Sequence, residues 1–276
     1  VSTASLYTRR IEVSAGGTKP RKHQDHSLWK ENLWRLAIVA ALIVAWQFAV
    51  NFGWVNAFLM GSPAGIAIEA WRQLQSGQLL SDTWTTLYAT IVGFLLGSIG
   101  GSAAGLLLWY SRHVARIIDP FVVALNGLPK ISLAPMIIIW FGSGMLSKVA
   151  LAFIATFIVA LLSAYQGTHQ IDANLVNLMR SLGATKRQIF LKVVVPATLP
   201  WIISAFRLNI GFALIAEIGG EFIASDKGLG RSIFVAGNLF NLNAVWVGVL
   251  TLMLVAIALY LVVSRIERYL LPWESR

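Results

Sequence analysis

Six runs of about 20 apolar residues constrain this chain more than any other feature; they fall at 33–50, 85–110, 120–141, 149–166, 197–219 and 244–264. A helix needs about 20 such residues to cross the roughly 30 Å hydrocarbon layer of a bilayer. The 276 residues could otherwise form two soluble domains, but 57% are hydrophobic and only 12% charged. Soluble domains carry about 25% charged residues, so this chain could not cover a water-facing surface. The same composition excludes a disordered chain. None of the runs alternates polar with apolar residues, which argues against a β-barrel. The expectation is an all-α polytopic membrane protein with six transmembrane helices. It divides into a cytoplasmic tail, 1–32, and a membrane domain, 33–276. About 30 polar residues precede the first run, which therefore reads as a retained helix rather than a signal peptide.

The basic residues set the topology. Of the 22 Lys and Arg, only Arg72, Lys148, Lys227 and Arg231 fall in the outside segments when the N-terminus is placed inside. Lys130 and Arg207 lie within runs, and the other sixteen lie in the tail, the inside loops and the C-terminal end. This bias places both termini in the cytoplasm of a multi-pass protein. It also accounts for most of the net charge of +10, so no nucleic-acid partner is expected.

Several chemistries are excluded at this stage. There is no Cys, hence no disulfide, thiolate nucleophile or cysteine metal site. None of the lysines follows a Gly, so the chain has no P-loop for ATP. His23 and His26 lie in the tail and His113 and His169 in the inside loops, and no metal site is expected. Ser143 stands between two glycines, but no run holds a His to activate it. The chain is expected to have no catalytic residues and no cofactor of its own.

The inside segment 167–196 carries the most information. Leu175, Leu178, Met179 and Leu182 fall on one helical face, Gly183 breaks the register, and a second short helix ends at Pro196. Such a knob can be gripped by a partner or can rest on lipid headgroups. The spacing from Gly183 to Val193-Val194-Val195-Pro196 resembles the EAA loop of ATP-binding-cassette importer permeases. Asn177-Leu178-Met179 stand at the E-A-A positions, and Val replaces both Ile and Leu before the Pro. Leu128-Pro129-Lys130-Ile131-Ser132-Leu133-Ala134-Pro135 with Trp140-Phe141-Gly142 is similar to the third span of the nitrate, taurine and alkanesulfonate permeases. Glu217, Gly220-Glu221-Phe222-Ile223, Lys227-Gly228-Leu229-Gly230 and the ending Leu271-Pro272-Trp273 also fit that group.

The resemblance implies a homodimeric permease of the type I importer fold in a bacterial inner membrane. It further implies two ATPase subunits that bind ATP and Mg, and an extracytoplasmic solute-binding protein. The coupling positions would be Asn177, Leu178, Met179, Arg180, Leu182, Gly183, Ala184, Thr185 and Gln188. A self-contained secondary carrier and a membrane scaffold without transport stay open as rivals on the residues alone. The carrier would call for internal repeats and a mid-span acid, and neither is evident.

Inside the membrane, Gly93, Gly97, Gly101 and Gly105 repeat every four residues, the spacing that lets helix backbones approach closely. Lys130 reads as mid-span and flanked by Pro129 and Pro135, which break the helix ladder. Arg207, with Asn209 nearby, reads as lying at comparable depth. With Asn126 and Glu217, these are the pathway candidates, and two basic groups facing one pathway would suit an anion. Glu217 and Glu221 are one turn apart and are expected to pair with Lys148 or Arg231.

Overall fold

The computed structural model of the chain describes residues 25–270. The tail before Asp25 and the Leu271-Pro272-Trp273 ending lie outside the described residues. Among those described, every regular element is helical. Five helical segments are long and apolar enough to cross a membrane, and a sixth is a bent pair. The first, α1 (Asp25–Asn51), stands with its apolar stretch unburied. After the short α2 (Ala57–Met60) comes α3 (Pro63–Gln75), started as the sequence indicates: the Ser62 side chain accepts from Gly65 N, and Pro63 opens the first turn.

The core is three helices: α4 (Gln78–Leu107), α7 (Met145–His169) and α10 (Val195–Ile223). All four glycines of the repeat on α4 turn to α7. A Cβ on Gly97 would meet the Thr156 hydroxyl and the Phe153 carbonyl; one on Gly101 would meet the Phe157 carbonyl. Gly93 and Gly105 sit in the same way against Ala152 and Ala164. The glycines are therefore a packing seam. Its complement on α7 is a second ladder of small residues, Ala152, Thr156, Ala160 and Ala164, which the sequence reading passed over.

The third span departs from expectation. It begins not at Pro120 but at Ser111, whose side chain caps α5 (Arg112–Gly127) by accepting from Val114 N. Pro120 lies inside the helix. The chain then breaks, and a 3-10 turn (Lys130–Leu133) leads into α6 (Ala134–Phe141), with a 92° bend across the pair. At 1.5 Å per residue, the 16 residues of α5 rise about 24 Å. Lys130 therefore stands at the far end of α5 from its Ser111 cap, at a break and not within a continuous helix.

At the end of the bundle that the charge bias assigns to the inside, α7 leads to α8 (Ala173–Ser181), α9 (Lys186–Ile189) and a π-helical turn (Phe190–Val194) that runs on into α10. Pro196 cannot donate to the helix ladder, and Val195 N reaches back five residues to Phe190 O. The outer segment after α10 contains an unforeseen helix, α11 (Leu229–Asn238), before the last span, α12 (Leu242–Leu270).

Candidate functional site

The inside elbow is a complete Schellman motif. Gly183, at φ +76°, takes the left-handed conformation; its N–H bonds Arg180 O at 2.9 Å, and Ala184 N bonds Met179 O at 3.0 Å. Thr185 then caps α9 in a reciprocal box: Gln188 N donates to Thr185 Oγ1, and Thr185 N donates to Gln188 Oε1 at 2.8 Å. The elbow is thus fixed by its own hydrogen bonds. Its apolar residues divide between two faces. Val176, Met179 and Ala184 pack inward against buried Ile189, Val193 and Val194. Leu178 and Leu182 face out, 56% and 74% exposed, and Leu175 is exposed beside them.

Met179 is a correction, since the periodicity puts it on one face with the three leucines, whereas it packs inward. A helix turns about 100° per residue, which carries Met179 just past the edge of the exposed stripe. Asn177 and Arg180 form a third face along a cavity behind α8. A rigid, exposed apolar stripe of this kind is a surface that a partner or lipid headgroups can cover.

The outer end is built in the opposite way. Glu221, fully buried on α10, accepts from the Thr86 hydroxyl of α4 (3.0 Å), from Gly230 N at the start of α11 (2.7 Å) and from the Lys148 ammonium of α7 (3.3 Å). Lys148, itself buried, also donates to Lys227 O. Asp82 on α4 accepts from Gly228 N (3.0 Å) and the Ser232 hydroxyl (2.7 Å). Leu229 N donates to Thr86 Oγ1 at 2.9 Å. Four elements are therefore tied through one carboxylate, with Lys148 and not Arg231 as its cation. Gly228, at φ +128°, leaves no room for a Cβ beside the Glu221 carboxyl group. A glycine there lets the loop close over the charge.

Of the pathway candidates, Lys130 and Arg207 are separated. Lys130 is half-buried at the break, and its ammonium donates to Asn126 O (3.0 Å) and Asn126 Oδ1 (3.3 Å), at the end of α5. The next residue, Ile131, seats on Gly219, four residues from the outer end of α10. Arg207 instead donates Nε to Glu267 Oε2 at 2.8 Å, near the inner end of α12. Arg207 and Gly219 are about 18 Å apart along α10. The two cations do not share a depth. The reason is the length of the fifth span, a continuous run over Lys186–Ile223 whose first turns lie on the inner side.

Asn209 and Glu217 have no exposed surface in the chain. Asn209 Nδ2 donates to Ser98 Oγ (3.0 Å) on α4 and Thr156 O (3.1 Å) on α7, so it joins the three core helices. Neither Glu217 oxygen has a hydrogen-bond partner among the described residues. The contacts Thr86 to Glu221 and Ser98 to Asn209 are equally spaced along antiparallel α4 and α10. Thr90 therefore falls level with Glu217, and its hydroxyl is likewise unpaired. These two residues line helix contacts, not an open passage.

Above the cluster, Glu69 on α3 accepts from Arg72 (2.6 Å) and Gln73 (2.8 Å). Burial pushes its carboxyl group up, but these hydrogen bonds outweigh it and hold the group below its usual range. Among the described residues there is no group of His, Asp and Glu able to hold a metal ion.

Comparison with known proteins fits this division of labour. Residues 93–276 match the model of the family described as binding-protein-dependent transport system inner membrane component. A riboflavin transport system permease protein of Chloroflexus aurantiacus is 33% identical over 234 residues, 85% of this chain and 87% of that one. A putative aliphatic sulfonates transport permease protein of Bacillus subtilis is 29% identical over 271 residues, 96% and 98% of the two chains. Among solved structures, an inward-facing form of the MetNI methionine ABC transporter aligns with a TM-score of 0.63 at 20% identity. It covers 71% of this chain and 98% of that one, and attests the fold. A self-contained carrier and a passive scaffold both give way to a non-enzymatic membrane component whose ATPase is a separate subunit. With a buried, cross-linked outer end and an exposed inner elbow on a six-span helical frame, the chain belongs to the family of inner membrane permease components of binding-protein-dependent ABC transport systems.

Proposed function

We propose that two copies of this chain form the pathway of an importer for a small organic anion of the sulfonate class, with both termini cytoplasmic. Two ATPase subunits carry ATP and Mg beneath the elbow, and an extracytoplasmic binding protein delivers solute above the buried cluster. Movement between inward-open and outward-open states follows from the ATPase making different contacts with the elbow in its two states. The supporting observation is the pairing of a self-locked turn at Gly183 with the bare Leu178 and Leu182 stripe beside it. A rigid knob transmits displacement, and an apolar one needs a groove to cover it.

The anion preference rests on Lys130. Its ammonium has only carbonyl and amide oxygens as partners, and no carboxylate pairs with it among the described residues. A cation left uncompensated at a break in a span favours an anion or water beside it. The relative named for aliphatic sulfonates also runs along nearly the whole chain. The test is uptake of radiolabelled alkanesulfonate by cells expressing the full transporter, with riboflavin as the competing solute. Lys130→Gln should lower sulfonate uptake several-fold while ATPase association is kept, and Lys130→Arg should retain more. Riboflavin uptake with sulfonate inert would overturn the anion reading and leave the permease role intact.

A further inference from the structure

Behind the elbow lies a cavity of about 720 Å³, walled by the turn Leu108–Tyr110 that follows α4, the inner end of α7, the first turns of α5, and α8. That is within the range of about 300–1,000 Å³ usual for small-molecule sites. Arg116, His169, Arg180 and Lys186 line it, and no carboxylate does. Neither the Arg116 nor the Arg180 guanidinium has a hydrogen bond or ion pair with any described residue. Lys186 donates to Tyr110 O at 2.6 Å and stands 5.5 Å from the Tyr110 ring, with Trp109 alongside.

The cations are exposed, so water can solvate them, but they converge from three helices on one cavity with no carboxylate among its walls. Arg presents the planar fork that matches the oxygens of an anion such as phosphate. The chain's own tail cannot supply that anion. Residues 1–24 carry Arg9, Arg10, Lys19, Arg21 and Lys22 against the single acid Glu12. Trp and Tyr collect where a membrane protein passes from hydrocarbon to headgroups, so Trp109 and Tyr110 put the cavity at the inner headgroup level. Basic pockets at that level hold acidic lipid headgroups.

We propose that the cavity bounded by Arg116, Arg180 and Lys186 binds a phosphate-bearing anion, with the headgroup of an acidic phospholipid of the inner leaflet as its source. Arg116 stands on the membrane helix α5 and Arg180 on the elbow helix α8. The bound phosphate would therefore tie the elbow to the membrane end of the bundle, a role separate from the solute.

The experiment uses the full transporter, permease with ATPase, in nanodiscs of equal parts phosphatidylcholine and phosphatidylglycerol. Phosphatidylglycerol retained after extraction is counted by native mass spectrometry. The wild type should keep phosphatidylglycerol in preference to phosphatidylcholine. Arg116→Gln/Arg180→Gln should lose it by at least about tenfold, since charge-assisted hydrogen bonds are removed. Arg187→Gln, on an exposed cation outside the cavity, controls for charge alone and should retain it. Where the double variant does not accumulate, Arg116→Gln, away from the elbow, gives the same reading. If inorganic phosphate displaces the lipid from wild type and protects wild type but not the variant from thermal unfolding, the phosphate site stands with a soluble source. Equal lipid retention by variant and wild type, with no response to phosphate in either, overturns the proposal.

Discussion

The two ends of the helical bundle meet their electrostatic needs differently. At the outer end, Lys148 and Glu221 are both buried, and their charges are met by each other, by Thr86 and by backbone groups of the loop that closes over them. At the inner end, Leu178 and Leu182 are bare, and Arg116 and Arg180 have no partner among the described residues. The Glu221 cluster is satisfied within one chain. The inner end is folded but unfinished, with local hydrogen bonds holding a shape whose outward surface is covered by nothing among the described residues. A subunit that must respond to a separate motor needs this asymmetry: a firm joint at one end and an engaging surface at the other.

The largest expected effect breaks the outer end. Lys148→Met leaves Glu221 buried without its cation, which costs about 3–5 kcal/mol for a broken buried pair. Little folded protein should survive detergent extraction, as read by fluorescence-detected gel filtration. Lys148→Met/Glu221→Gln should recover part of the loss, because the second change removes the stranded charge. If Lys148→Met is as stable as wild type, the buried network is not what joins α4, α7, α10 and α11.

Next in size is the seam that carries both ends. Gly101→Ala puts a Cβ onto the Phe157 carbonyl, where neither backbone can give way. Overpacking of this kind costs about 1–3 kcal/mol, and the melting temperature of the purified protein should fall. An unchanged melting temperature would mean that α4 and α7 can separate at little cost.

A smaller effect is expected at the elbow. Gly183 has open space where a Cβ would stand, so Gly183→Ala meets no clash and bears only the left-handed backbone, about 1–2 kcal/mol. Bulk stability should barely change, because α8 and α9 are short and exposed. Protease sensitivity confined to 173–189, with the spans intact, is the expected result of limited proteolysis. Global unfolding instead would mean that the elbow supports the bundle.

What the sequence made legible was local. The Ser62-Pro63 start of α3, the Gly183 turn and the four-residue glycine repeat all depend on neighbours a few positions away, and each is found as read. Depth was harder to read. Pro120 looks like a helix start but sits within α5, because Ser111 caps the helix upstream and the break falls at Lys130 instead. Arg207 looks like a pathway cation until Glu267, sixty residues later, folds back beside it. The Glu221 network was half visible: Lys148 was one of two candidate cations, but Asp82, Thr86 and the loop amides join it only through tertiary contact. Met179 fell on the wrong side of α8 because its partners, Ile189, Val193 and Val194, belong to the next turn of chain.

The most direct test of an unfinished inner end is co-purification of the ATPase with a permease altered only on the bare stripe. Leu178→Asp/Leu182→Asp places two charges on side chains that touch solvent, 56% and 74% exposed, so the chain should fold and melt as wild type does. It should leave the membrane without its ATPase and support no uptake. A double variant that brings down the ATPase in full and transports normally would contradict the assignment of α8 as the surface through which this permease is driven.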